Sequence, residues 1–82
     1  MTGKHYQWHK HWSRDPEGRL QHDTGIRVLT ARADGYTDFQ IDPASLTEFQ
    51  AAQAARGIPM PDMLARLKRL LKEARQWHEK NP

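Results

Sequence analysis

An 82-residue chain of 9.6 kDa holds one domain, and at that size folding buries only about 60% of the surface the unfolded chain exposes. Hydrophobic residues are 37% and charged residues 28%, which leaves no material for a large enzyme with a deep pocket. No apolar run approaches the roughly 18–20 residues of a membrane span.

The net charge is +3 with histidines neutral and the isoelectric point is about 9.6, a balance that suits a polyanionic partner. Residues 43–82 hold the surplus, with seven basic groups against Glu48, Asp62, Glu73 and Glu79. With no cysteine there is neither a disulfide framework nor a thiolate metal site, and no charged-then-apolar segment opens the chain. A cytoplasmic protein is therefore expected. Domains this small often gain stability by oligomerising.

Residues 1–24 are one aromatic and histidine-rich segment, His5-Tyr6-Gln7-Trp8-His9-Lys10-His11-Trp12, followed by the turn chemistry of Asp15-Pro16-Glu17-Gly18. As a strand, period two places Tyr6, Trp8 and Trp12 on one face and His5, His9 and His11 on the other. The alternative is an arm that orders on docking.

Residues 25–42 read as a β-hairpin. Ile26-Arg27-Val28-Leu29-Thr30 and Tyr36-Thr37-Asp38-Phe39-Gln40-Ile41 flank Asp34-Gly35, the preferred two-residue type I′ turn. Pairing outward from that turn puts Ile26, Val28, Phe39 and Ile41 on a core face. Arg27, Leu29, Ala31, Tyr36, Asp38 and Gln40 then share the other face, which is available to a ligand.

Residues 43–80 read as a two-helix unit. Asp42 serves as N-cap with Pro43 at the first helical position. The first helix runs to Arg56, with Leu46, Phe49 and Ala52 on one side and Gly57 just past its end. Pro61-Asp62 opens the second helix, which runs from Met63 to about Lys80. Met63, Leu64, Leu67, Leu70, Leu71, Ala74, Trp77 and His78 form its apolar stripe, and Arg66, Lys68, Arg69, Lys72, Glu73, Arg75, Gln76 and Glu79 cover the rest.

This order of strand, capped helix, Gly-terminated turn and amphipathic helix over residues 36–80 resembles the ribbon-helix-helix family of dimeric DNA-binding regulators. The residues that carry the likeness are Phe39-Gln40-Ile41, Asp42-Pro43-Ala44-Ser45-Leu46, Ala52 through Gly57-Ile58, and Pro61-Asp62-Met63-Leu64. The resemblance implies an α+β homodimer in which two chains pair one strand each, the free edge of the hairpin making the contact. It implies a ribbon whose outward side chains read the major groove of double-stranded DNA. Tyr36, Asp38 and Gln40 are the implied ribbon positions, with Gln40 suited to adenine and Arg27, from the neighbouring strand, suited to guanine. Met60 to Met63, Asp62 included, would form a phosphate-facing helix start. Apart from the resemblance, Arg66, Lys68, Arg69, Lys72 and Arg75 form a basic face of the second helix, ordinarily a solvated face, whose functional reading is contact with the DNA backbone, Arg69 and Lys72 included.

Other constellations have more ordinary readings. His5, His9, His11 and His22 lack a carboxylate or cysteine at a recognised spacing, so no metal is expected. Tyr6, Trp8 and Trp12, interleaved with Lys4, Lys10 and Arg14, fit either base stacking or a cover for the core beside the second helix, and the cover is preferred. There is no nucleophile motif, glycine-rich phosphate loop or spaced carboxylate pair, so neither an enzyme nor a cofactor is expected. The sequence thus points to a transcriptional regulator that binds DNA, with a non-enzymatic protein-interaction module as the alternative.

Overall fold

A computed structural model describes residues 7–81. A short 3-10 helix, Trp8–His11, leads into four strands: β1 (Trp12–Arg14), β2 (Leu20–His22), β3 (Arg27–Ala33) and β4 (Tyr36–Ile41). Two helices follow, α1 (Pro43–Ala55) and α2 (Met60–Lys80). The strands form one antiparallel sheet in the order β1-β2-β3-β4, so β1 and β4 are its edges. The fold is therefore α+β, strands first and helices after, with twice the number of strands in the predicted hairpin.

Three turns set this topology. At Asp15-Pro16-Glu17-Gly18 the Asp15 carboxylate accepts the backbone N–H groups of Glu17 (3.0 Å) and Arg19 (2.9 Å) and the Arg19 Nε–H (2.8 Å). Those bonds hold Asp15 below the usual carboxylate range, outweighing the upward push of its burial. The second turn, His22-Asp23-Thr24-Gly25, closes through Gly25 N–H to His22 C=O at 2.9 Å. In the third, Asp34 and Gly35 both have positive φ, 51° and 82°, as the type I′ turn requires.

The β3–β4 register matches the predicted one, with Val28 opposite Ile41, Thr30 opposite Phe39 and Ala33 opposite Tyr36. The N-terminal segment departs from prediction. Instead of one strand or a loose arm, residues 8–22 form the 3-10 helix and a second hairpin, so His9 and His11 share no strand face. His5 and Tyr6, with Lys4, lie outside the described residues.

The core lies between the sheet and the helices. Trp12, Leu20, Ile26 and Val28 from the sheet side meet Phe49 of α1 and Met63, Leu67, Leu70 and Ala74 of α2. Trp8, Phe39, Ile41, Leu46, Leu71 and Trp77 pack around them, half-buried. The buried row of α1 is Ser45, Phe49 and Gln53, an i, i+4, i+8 line, rather than Leu46, Phe49 and Ala52. Ser45 fixes that rotation: its hydroxyl donates to the Asp42 carbonyl (2.8 Å) and accepts the Arg27 N–H (3.0 Å).

Asp42 is the residue before α1, but its carboxylate does not cap the helix. Instead it pairs with Arg27. The C-terminal stop is as predicted. Gly57 (φ 76°) sends its N–H to Ala54 C=O at 3.0 Å, and Ile58 N–H reaches Gln53 C=O at 3.1 Å. Together these two bonds are a Schellman motif.

Helix α2 starts earlier than predicted, at Met60. Pro59 is extended at the cap (φ −65°, ψ 151°) and Pro61 sits in the first turn, where a missing N–H leaves nothing unbonded. Of the predicted apolar stripe, Met63, Leu67, Leu70 and Ala74 are buried, Leu71, Trp77 and His78 are half-buried, and Leu64 is 47% exposed. Glu73, predicted to face solvent, is buried instead.

Candidate nucleic-acid interface

The sheet's outward face carries the predicted base-reading residues. Arg27, Asp38 and Gln40 share it by register. Tyr36, at the end of β4, is 60% exposed. Three of their polar heads are already engaged. Arg27 meets the Asp42 carboxylate through Nη2 at 3.0 Å and Nε at 3.2 Å. The Gln40 amide donates to Asp38 Oδ2 at 3.0 Å. Around Arg27, Asp38, Gln40 and Asp42 one guanidinium stands against two carboxylates, so this patch offers phosphate no surplus of positive charge.

The other predicted residues lie elsewhere. Met60 (56% exposed) and Asp62 are at the start of α2. Pro61 removes one backbone donor there, and the Asp62 carboxylate in the first turn opposes an anion. Arg69 and Lys72 are exposed further along α2, neighbours about one turn apart on its outer side that border different depressions. Arg69 borders a cleft with Gln53, Ile58, Asp62, Ala65 and Arg66, whereas Lys72 borders a groove with Phe39, Lys68, Leu71 and Arg75. The structure therefore does not assemble the eight predicted residues into one surface.

Positive charge gathers on α2 instead. Its exposed arc carries Arg66, Lys68, Arg69, Lys72, Arg75 and Lys80 against Asp62 and Glu79. Among the described residues the ion pairs are His11–Asp23, Arg19–Asp15, Arg19–Glu17 and Arg27–Asp42, all outside α2. Two α2 cations lie over aromatic rings: Arg75 is 5.6 Å from the Phe39 centroid and Lys80 6.0 Å from that of Trp8.

Three contacts that sequence reasoning missed hold this helix in place. The Trp12 indole N–H donates to Glu73 Oε1 at 3.0 Å, both residues being buried. Arg14 reaches the far end of α2, donating to Asn81 C=O at 2.7 Å, meeting His78 Nδ1 at 3.1 Å and lying over the Trp77 ring. The His78 ring in turn meets Phe39 edge-on, 5.4 Å between centroids. Of the aromatics and cations considered for base stacking, Trp8 and Trp12 cover the core and Arg14 straps α2.

His22 is the other buried polar residue of note. Its Nδ1 accepts the Thr24 N–H at 3.1 Å, which leaves the ring proton on Nε2. That buried atom has no hydrogen-bond partner among the described residues, and the Trp12 ring lies 4.8 Å away. Burial holds His22 below its ordinary pKa, against the weaker upward pull of Glu73 and Asp23.

Among the described residues no three metal-ligating side chains converge, and no helix is long and apolar enough to cross a membrane. No protein-family model matches the chain, and searches of curated proteins and of solved structures return no match.

Proposed function

We propose that this protein binds double-stranded DNA as a cytoplasmic, non-enzymatic regulator, and that α2, rather than the sheet face, makes the principal contact. The supporting observation is the exposed arc of α2, six cations against two acids with no ion pair among them. From Arg66 to Lys80 the arc spans about 21 Å, enough to follow about six base pairs of phosphates at ~3.4 Å each. Arg69 and Lys72 contact phosphate here. Arg27 and Gln40 read bases only by exchanging their bonds to Asp42 and Asp38, so they supply a smaller share of the binding.

The intermolecular ribbon implied by the family resemblance would have to form along the outer edge of β4. A two-fold axis there brings Lys68, Lys72 and Arg75 of one copy towards the same residues of the other. That repulsion disfavours the homodimer, so the proposed DNA-binding unit is the single chain.

Fluorescence anisotropy with duplex DNA from upstream of the protein's own gene tests the reading, with a salt series and excess non-specific competitor. If four phosphates are neutralised, the logarithm of affinity falls with the logarithm of salt at a slope of about −3 to −4. Arg69→Ala and Lys72→Ala should each flatten that slope by about one phosphate. No binding at low salt overturns the proposal. A second reading, a protein-interaction module, is favoured by one specific feature, the open edge of β4.

A further inference from the structure

We propose that the outer edge of β4, together with the groove between β4 and α2, docks an extended acidic segment of a partner protein, which adds to the sheet as a fifth strand. The inference rests on the strand edge and not on DNA binding, although Lys68, Lys72 and Arg75 also belong to the arc assigned to DNA. β4 ends the strand order. With Ala33–Tyr36 as the hydrogen-bonded pair next to the turn, alternation directs the N–H and C=O groups of Thr37, Phe39 and Ile41 away from β3. Native edge strands are commonly blunted by lysine, proline or a bulge. Tyr36-Thr37-Asp38-Phe39-Gln40-Ile41 contains no lysine or proline, and its register against β3 is unbroken over all six residues. The opposite edge, β1, has only three residues.

What stands beside this edge selects the occupant. The groove, of about 270 Å³, is lined by Phe39 and Leu71, both half-buried, and by Lys68, Lys72 and Arg75. Every second side chain of an added strand falls on the α2 side, against an apolar floor ringed by three cations, where a carboxylate finds partners. The intervening side chains fall on the outward face beside Asp38 and Gln40, where a carboxylate is repelled and a neutral β-branched residue fits. Glu79 lines the Tyr36 end, so the acidic preference belongs to the Lys68–Arg75 stretch. A second copy of this chain is the poorer occupant, because it brings the same three cations. Backbone pairing supplies affinity and the alternation supplies specificity, as in other strand-addition complexes.

The test is a titration of the ¹⁵N-labelled full chain with a capped heptapeptide of alternating valine and glutamate, followed by amide NMR. The expected result is saturable shifts centred on Thr37, Phe39 and Ile41. Lys72→Glu combined with Arg75→Glu should weaken binding at least tenfold, whereas Arg66→Glu with Arg69→Glu, on the far flank of α2, should change it less than twofold. The same peptide N-methylated at alternate residues should not bind. Because that control leaves the protein unaltered, the test survives a variant that fails to fold. Four results would overturn the proposal: no saturable shift at millimolar peptide, equal binding by the N-methylated peptide, a 12-base-pair duplex shifting the same three amides, or a chain that sediments at twice its mass with those amides already protected.

Discussion

Removing the Trp12–Glu73 bond tests whether a single buried hydrogen bond holds the basic helix on the sheet. Trp12→Phe keeps an aromatic ring in the core but deletes the donor that reaches Glu73 Oε1 at 3.0 Å. A hydrogen bond to a charged group contributes about 1.5–3 kcal/mol, so a loss of about 2–3 kcal/mol is expected, including the volume lost with the smaller ring. Set against a total stability of about 4–12 kcal/mol for 82 residues, that is a large share. It lowers the melting temperature by roughly 8–24 °C at about 4–8 °C per kcal/mol. Glu73→Gln retains an acceptor and should cost less than about 1 kcal/mol. Glu73→Leu leaves the indole N–H buried and unbonded, at about 1–3 kcal/mol. The decisive variant is the double mutant, Trp12→Phe with Glu73→Leu. It removes both partners at once, so it should lose at least about 1 kcal/mol less than the sum of the two single changes. Urea unfolding followed by circular dichroism measures all four proteins. Additivity within about 0.5 kcal/mol would refute the coupling.

Other expected outcomes rest on separate contacts. His22 binds its proton less readily in the folded chain than its ordinary value, so the unfolded state takes up more protons as pH falls through that value. Stability is thus full above the ordinary value and declines below it, levelling off once the folded-state pKa is passed. His22→Asn, whose side-chain carbonyl can accept the Thr24 N–H, should flatten the melting-temperature profile between pH 7.5 and about 5. Gly57→Ala forces a side chain into positive φ at the Schellman turn and should cost about 1 kcal/mol in chemical denaturation. Arg14→Ala frees the last turn of α2 from Asn81, His78 and Trp77, so amide exchange there should quicken while the β3–β4 hairpin keeps its protection. Arg27→Ala should leave DNA affinity within about twofold, because its guanidinium is held by Asp42. A tenfold loss would restore the sheet face as the reader.

Local chemistry was legible in the sequence wherever the determinants lie within a few residues of each other. Asp34-Gly35 specifies its turn type, and the turn then dictates which of Val28, Thr30, Phe39 and Ile41 face inward. Gly57 marks a helix end because the two bonds that close it reach back only three to five residues. The 3.6-residue period of α2 needs no partner to be seen. The second hairpin was less visible: β1 and β2 have three residues each, too few for an alternating pattern to stand out against the aromatics and histidines around them. The bonding of the candidate site residues was hidden for a different reason. Their charge state depends on pairs far apart in the chain, 15 residues for Arg27–Asp42 and 61 for Trp12–Glu73. No periodicity announces either. The position of Glu73 at the border of the apolar arc, next to Ala74 and one turn from Leu70, was the one available hint.

The distribution of compensated charge bears most directly on function. Asp15, in the first turn, answers Arg19, and Asp42, between β4 and α1, answers Arg27, while Asp23, in the second turn, meets His11 Nδ1 at 2.7 Å. The Asp15 turn therefore fixes backbone geometry and neutralises a neighbouring cation in the same step. Among the described residues the cations of the long helix have no such partners, and its buried acid, Glu73, faces inward to the Trp12 indole. Bringing Glu73 inside does two things at once: it anchors α2 to β1, and it takes a carboxylate away from the surface where six cations stand. Returning that carboxylate to the exposed arc tests this view. Gln76→Glu places an acid among Arg69, Lys72 and Lys80 without touching the core, since Gln76 is exposed. It should leave the melting temperature within about 2–4 °C, the range of a surface change of up to ~0.5 kcal/mol. Affinity for an anionic ligand on the α2 crest should fall several-fold at low salt, and the difference should vanish as salt rises. Equal affinity at low salt would mean that the ligand does not lie on α2.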